Sequence, residues 1–161
     1  MSDPARFARS HRAEIAEVVD RMLGNGQLVL GQSVESFERS FAEYVEVKHC
    51  VGVASGTDAI EIALRALGCE GKEVLVVANA AGYGTISCLA VGAVPVYCDI
   101  DSTTLLVSLD SISERVSHNT AAVIVTHLFG AAVDCGLVDA AVKTKLGKSL
   151  PIIEDCAQAH G

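Results

Sequence analysis

Two short stretches hold the residue types best suited to chemistry. Ser55-Gly56-Thr57-Asp58-Ala59 falls where an extended run gives way to a helical pattern. Gly56 permits close backbone approach there, and the unpaired N–H groups of a helix start, with its dipole, favour an anion such as a phosphate. Capping of the helix by Ser55 or Thr57 is the other reading, and Asp58 needs no role beyond complementing the dipole. The second stretch, Ile153-Glu154-Asp155-Cys156-Ala157-Gln158-Ala159-His160-Gly161, puts an acid at the end of an apolar run. A buried carboxylate is costly unless paired. A pyridinium N–H is one such partner: Asp155 would keep the ring nitrogen protonated, which makes the ring an electron sink. A salt bridge, a metal or a helix cap are the other partners open to it. Gln158 lies within reach of the same place, and Glu154, by strand alternation, faces the other side. The two stretches together describe the two ends of a pyridoxal phosphate site.

Such a site needs elements to position it. The spacing predicts an amphipathic helix over 4–23, ended by Gly24-Asn25-Gly26, and a second helix capped by Ser33 whose buried stripe is Val34, Phe37, Phe41, Tyr44 and Val45. From residue 49 apolar strands alternate with helices. The strands are expected at His49–Ala54, Glu73–Val77, Val94–Cys98, Ala121–Thr126 and Pro151–Glu154. The helices are expected at Thr57–Leu67, Tyr83–Val91, Ser108–Val116 and Val138–Leu146. Near-continuous apolar strands joined by crossover helices predict an α/β chain with a mostly parallel sheet covered on both faces. Ligands of such sheets bind at the carboxyl ends of strands. Four groups fall there: Ser55-Gly56-Thr57, Asn79 to Tyr83, His127 and Asp155. Tyr83 can stack on a flat ring or pack into the core. His127 can contact a ring or serve as a satisfied core histidine. The organisation divides into an N-terminal helical arm, 1–48, and the first part of a sheet domain, 49–161.

Composition narrows the function classes. The chain has 161 residues, half of them hydrophobic, and a net charge of −8. That charge argues against nucleic acid, whose phosphates want a basic face. No apolar run is long enough to span a membrane, and the first residues lack an apolar signal core. The six cysteines, Cys50, Cys69, Cys88, Cys98, Cys135 and Cys156, show no CxxC spacing and sit mostly in apolar stretches. They read as reduced thiols in a cytoplasmic protein, and the same spacing argues against zinc. No metal site is expected.

Five ordered motifs carry a family resemblance: Leu30-Gly31 with Val34 to Glu38; Val51 to Ala59; Gly92 to Asp101; Val125 to Gly130; and Ile153 to Gly161. In these the chain resembles the first part of the DegT/DnrJ/EryC1/StrS sugar aminotransferases. The resemblance implies an incomplete large domain of the aspartate aminotransferase-like, fold type I, three-layer sandwich, with pyridoxal 5′-phosphate as cofactor. It implies that Gly56 and Thr57 bind the phosphate, Asp155 pairs with the pyridine nitrogen, Gln158 contacts the ring's 3′-oxygen and Tyr83 stacks on the ring. Two stretches depart from the family pattern, Ala78-Asn79-Ala80-Ala81-Gly82-Tyr83 and Phe129-Gly130-Ala131-Ala132. No catalytic residue is assigned, because none of Lys48, Lys72, Lys143, Lys145 and Lys148 matches the context of the Schiff-base lysine. The expectation is an N-terminal fragment, inactive alone, of an enzyme that moves an amino group, typically from glutamate, to a keto-sugar nucleotide, and that is a homodimer when complete. A sugar dehydratase of the same family and a catalytically dead binding or regulatory partner are the alternatives.

Overall fold

A computed structural model describes residues 3–160. The chain forms two compact units, one up to Gly52 and one from Val53.

The first unit is helical: α1 (Pro4–Ser10), α2 (Arg12–Asn25) and α3 (Gln32–Tyr44). Asp3 caps α1 by accepting the Arg6 N–H, and Pro4 suits the first helical position. The single helix expected over 4–23 is therefore two, broken at His11, whose backbone leaves the helical region. Gly26 ends α2 in the left-handed conformation. Gly31, not Ser33, stands at the N-cap of α3. The stripe expected to be buried on α3 is only partly so: Val34, Phe41 and Val45 are half-buried, Phe37 is 58% and Tyr44 60% exposed, and Ala42 is the buried residue of that helix. Periodicity marks which residues share a face, and a face is buried only if something covers it.

The second unit is α4 (Gly56–Ala66), β1 (Glu73–Val77), α5 (Tyr83–Ala90), β2 (Val94–Cys98), α6 (Leu109–Arg115), β3 (Thr120–Thr126), a 3₁₀ turn (Leu128–Gly130), α7 (Cys135–Leu146) and β4 (Ile152–Asp155). The strands make one parallel sheet in the order β2-β1-β3-β4. Alternation along each strand splits the core in two. Val74, Val76, Ala122 and Ile124 pack with Ile60 and Leu64 of α4 and Cys88 of α5. Leu75, Val77, Val123 and Val125 pack with Ile112 of α6 and Val138 and Val142 of α7. The unit is thus helix, sheet, helix in three layers. Asp134 caps α7 by accepting the N–H groups of Gly136 and Leu137, and Gly147 closes it in the left-handed conformation.

The segment expected as a strand over His49–Ala54 is not one. It runs exposed, with no sheet partner among the described residues, and the Gly52 N–H donates to Glu38 Oε1 at 2.6 Å. β-Branched residues favour extension, but a strand exists only beside a neighbour that completes its ladder.

Candidate functional site

The chain runs outward from β1 to β2, then returns past β1 to β3, so the direction of winding reverses between β1 and β3. Open parallel sheets bind ligands at such a switch point. A cavity of about 340 Å³ lies there, walled by Val77 of β1, Thr126 of β3, Tyr83, Tyr97, Asp155 and Gln158. A second cavity of about 340 Å³ adjoins it, sharing Tyr83, Asp155 and Ala157, and its far end is Ser55, Gly56 and Thr57. All five expected cofactor residues therefore line one continuous cleft in the second unit.

The end at Ser55 to Thr57 is built by α4. Ser55 has extended backbone, and its Oγ accepts the Asp58 N–H at 3.2 Å while donating to Asp58 Oδ2 at 2.7 Å. The Ala59 N–H goes to the Ser55 carbonyl. The N–H groups of Gly56 and Thr57 have no intrahelical partner, as the first turn of any helix dictates. A Cβ placed on Gly56 would meet nothing within 4 Å.

The opposite end is built by β4. Ile153 faces the α4/α5 core and Ile152 the α6/α7 core. Asp155 follows Ile153 in the alternation and reaches the cleft, while Glu154 follows Ile152 to the other side. Asp155 is half-buried; its Oδ1 accepts the Ala157 N–H at 3.2 Å, and no cationic side chain among the described residues pairs with it. Gln158 Oε1 accepts the Phe129 N–H at 2.7 Å. Tyr83 opens α5 at 54% exposure, its ring free to cover a flat ligand.

His127 takes no part in the cleft. It is buried, its Nδ1 accepts the Val133 N–H at 2.8 Å, and its Nε2 lies 3.1 Å from Glu154 Oε2. Because Val133 donates to Nδ1, the ring proton of the neutral imidazole sits on Nε2 and is given to Glu154. Donor atoms of His127, Glu154 and Cys156 lie within 4.8 Å of one another. At that tautomer, however, Nε2 has no lone pair for a cation. The neighbouring thiols stay protonated. Burial first, then the Glu154 hydrogen bond and charge, push Cys135 up to about 12, and burial followed by Glu154 and Asp155 raises Cys156.

Three features were not foreseen from sequence. Tyr97 joins the cleft wall, its hydroxyl 3.0 Å from Thr85 Oγ1. The signal was present, since Tyr97 alternates with buried Cys98 and so faces the α5 side. Phe129 adopts φ 57° beside Gly130 at φ 80°, and is 78% exposed. Ser87, fully buried on α5, donates to the Thr57 carbonyl at 3.1 Å.

A family profile described as the DegT/DnrJ/EryC1/StrS aminotransferase family matches residues 9–161. The chain belongs to that family. It is 38% identical over 151 residues to the dTDP-3-amino-3,4,6-trideoxy-alpha-D-glucose transaminase of Micromonospora megalomicea subsp. nigra, covering 93% of this chain and 40% of that one. The crystal structure of S. venezuelae DesV in complex with a ketimine intermediate superposes with a TM-score of 0.91 at 34% identity, over 99% of this chain and 42% of that one. The PLP form of Spr1654 from Streptococcus pneumoniae gives a TM-score of 0.86 at 28% identity, over 92% of this chain and 41% of that one. The chain thus spans about two fifths of the length of these relatives. The family's cofactor is pyridoxal 5′-phosphate or its amino form. The cleft fits it: unpaired N–H donors at a helix start for the phosphate, and an unpaired carboxylate for the ring nitrogen.

Proposed function

We propose that the protein is a pyridoxal phosphate-dependent aminotransferase that moves an amino group, typically from glutamate, to a keto-sugar nucleotide. The observation that carries this reading is the single cleft that Gly56, Thr57, Tyr83, Asp155 and Gln158 share. When bound, the cofactor supplies an electron sink and a carrier for the amino group. The chain's residues hold it. The N–H groups of Gly56 and Thr57 bind the phosphate at the positive end of α4. Asp155 keeps the ring nitrogen protonated by charge pairing. Gln158, whose oxygen is engaged by Phe129, offers its amide N–H₂ to the ring's 3′-oxygen. Tyr83 covers one ring face and excludes water from it.

Lys72, Lys143, Lys145 and Lys148 do not line the two cavities, which supports leaving the amine that joins the cofactor unassigned among them. We assign 1–48 to a helical arm and 49–161 to the cofactor-binding domain, and the working assembly to a homodimer. Among the described residues no helix is long and apolar enough to cross a membrane.

The test is conversion of dTDP-linked keto-sugars by the protein at its natural length, loaded with pyridoxal phosphate and given glutamate. Appearance of 2-oxoglutarate with an equal amount of amino sugar is expected. A loaded protein that releases water from the sugar without consuming glutamate would instead be a dehydratase. One that binds cofactor and turns over neither would overturn the catalytic reading.

A further inference from the structure

Ser87 is a fully buried hydroxyl in an interface otherwise made of Ile60, Leu64, Cys88 and Val91. A serine inside a helix ordinarily satisfies itself on a carbonyl of its own preceding turn. Ser87 instead reaches across to α4, donating to the carbonyl oxygen of Thr57 at 3.1 Å. That carbonyl belongs to the first turn of α4, the turn whose Gly56 and Thr57 line the second cavity.

The placement of α5 makes this bond consequential. A Cβ on Gly84 would lie 3.6 Å from Val76 Cγ1 and Ile124 Cδ1, so α5 lies close against β1 and β3. Tyr83, the residue before Gly84, lines both cavities. One short helix therefore rests on the sheet, carries the aromatic ring of the cleft and holds the start of α4 by a side-chain bond.

We infer that Ser87 is a positioning residue for the anion cradle: its bond to Thr57 sets the first turn of α4 in register with Tyr83 and the sheet, so that the Gly56 and Thr57 N–H groups meet a phosphate at the distance the ring requires. The inference rests on reading Ser55 to Thr57 as the phosphate site. Ser87 touches neither cofactor nor substrate, and acts only through Thr57. Donor groups held in place bind an anion without the entropy cost of ordering them first, so losing the tether weakens phosphate binding and leaves ring binding alone.

The experiment uses the protein at its natural length, stripped of cofactor, and compares its affinity for pyridoxal phosphate with that for pyridoxal, which lacks the phosphate. In Ser87→Ala the affinity for pyridoxal phosphate is expected to fall about tenfold, as for one lost hydrogen bond. Pyridoxal affinity is expected to stay near the parent's, while the melting temperature of the cofactor-free protein falls modestly with the loss of the buried bond. Ser87→Cys, of similar volume and with a weak donor, should fall between. An equal loss for both ligands, or no loss, would make Ser87 a packing residue and overturn the inference. Gly56→Asp is the control for the reading beneath it, since a carboxylate in the cradle repels phosphate. If Gly56→Asp keeps the preference for pyridoxal phosphate, the cradle itself is misassigned. If it abolishes the preference while Ser87→Ala does not, only the inference about Ser87 falls.

Discussion

The backbone N–H of Phe129 donates to Oε1 of Gln158 at 2.7 Å, tying the turn after β3 to the segment after β4. Phe129 holds φ 57°, a left-handed conformation that a non-glycine residue keeps only when its surroundings impose it. The bond also settles the orientation of the Gln158 amide: its oxygen faces the turn, and its N–H₂ is left for a ligand.

Two substitutions separate those duties. Gln158→Glu keeps an oxygen for Phe129 and removes the donor; Gln158→Leu removes both. Pyridoxal phosphate affinity should fall in both variants. Only Gln158→Leu should also lose stability, by about 1 kcal/mol, since Phe129 is exposed and water replaces part of the bond. Equal melting temperatures for the two variants would show that the tie to Phe129 carries no stability.

Asp155→Asn keeps the shape and the bond from the Ala157 N–H but removes the charge. A neutral amide cannot hold the ring nitrogen protonated, so several kcal/mol of carbanion stabilisation are lost, on the order of a thousandfold in rate. Cofactor should still bind. Activity within about tenfold of the parent, on the scale of 1.4 kcal/mol per decade, would show that Asp155 does not pair with the ring.

His127→Ala strands the partly buried Val133 N–H that donated to Nδ1. A loss of roughly 1–3 kcal/mol in unfolding free energy is expected, measured by denaturant titration, with cofactor affinity near the parent's because His127 lies off the cleft. A selective loss of cofactor binding at unchanged stability would place His127 in the site after all.

Stability should fall as pH rises from about 9 to about 11. Burial pushes both Cys88 and Cys98 from 9.0 up to about 11. In that window the unfolded chain has released thiol protons that the folded chain retains. The contribution of these thiols is therefore complete below 9 and is lost as pH climbs through the folded values. The measurement is a comparison of slopes. Cys98→Ala should show a shallower decline in denaturant midpoint than the parent across this range, and identical slopes would remove Cys98 as a contributor.

Much of this protein follows from sequence alone. β1, β2, β3 and the helices between them are local: unbroken apolar strands, the cap at Ser55 and the left-handed Gly26 each state their structure within a few residues. That Gly56, Thr57, Tyr83, Asp155 and Gln158 lie near one another was also readable, because the loops that follow parallel strands fall on one rim of the sheet. Four matters belonged to the tertiary structure. Whether 49–54 is a strand depended on a neighbour to complete its ladder, which no local pattern supplies. Whether Phe37 and Tyr44 are buried depended on what covers their face. His127 was assigned to the core by the Val133 N–H that reaches its Nδ1, and Ser87 was given a partner 30 residues away, in Thr57, by the packing of α5 on α4. Such bonds join residues far apart in the chain, and only the folded packing brings their atoms within reach.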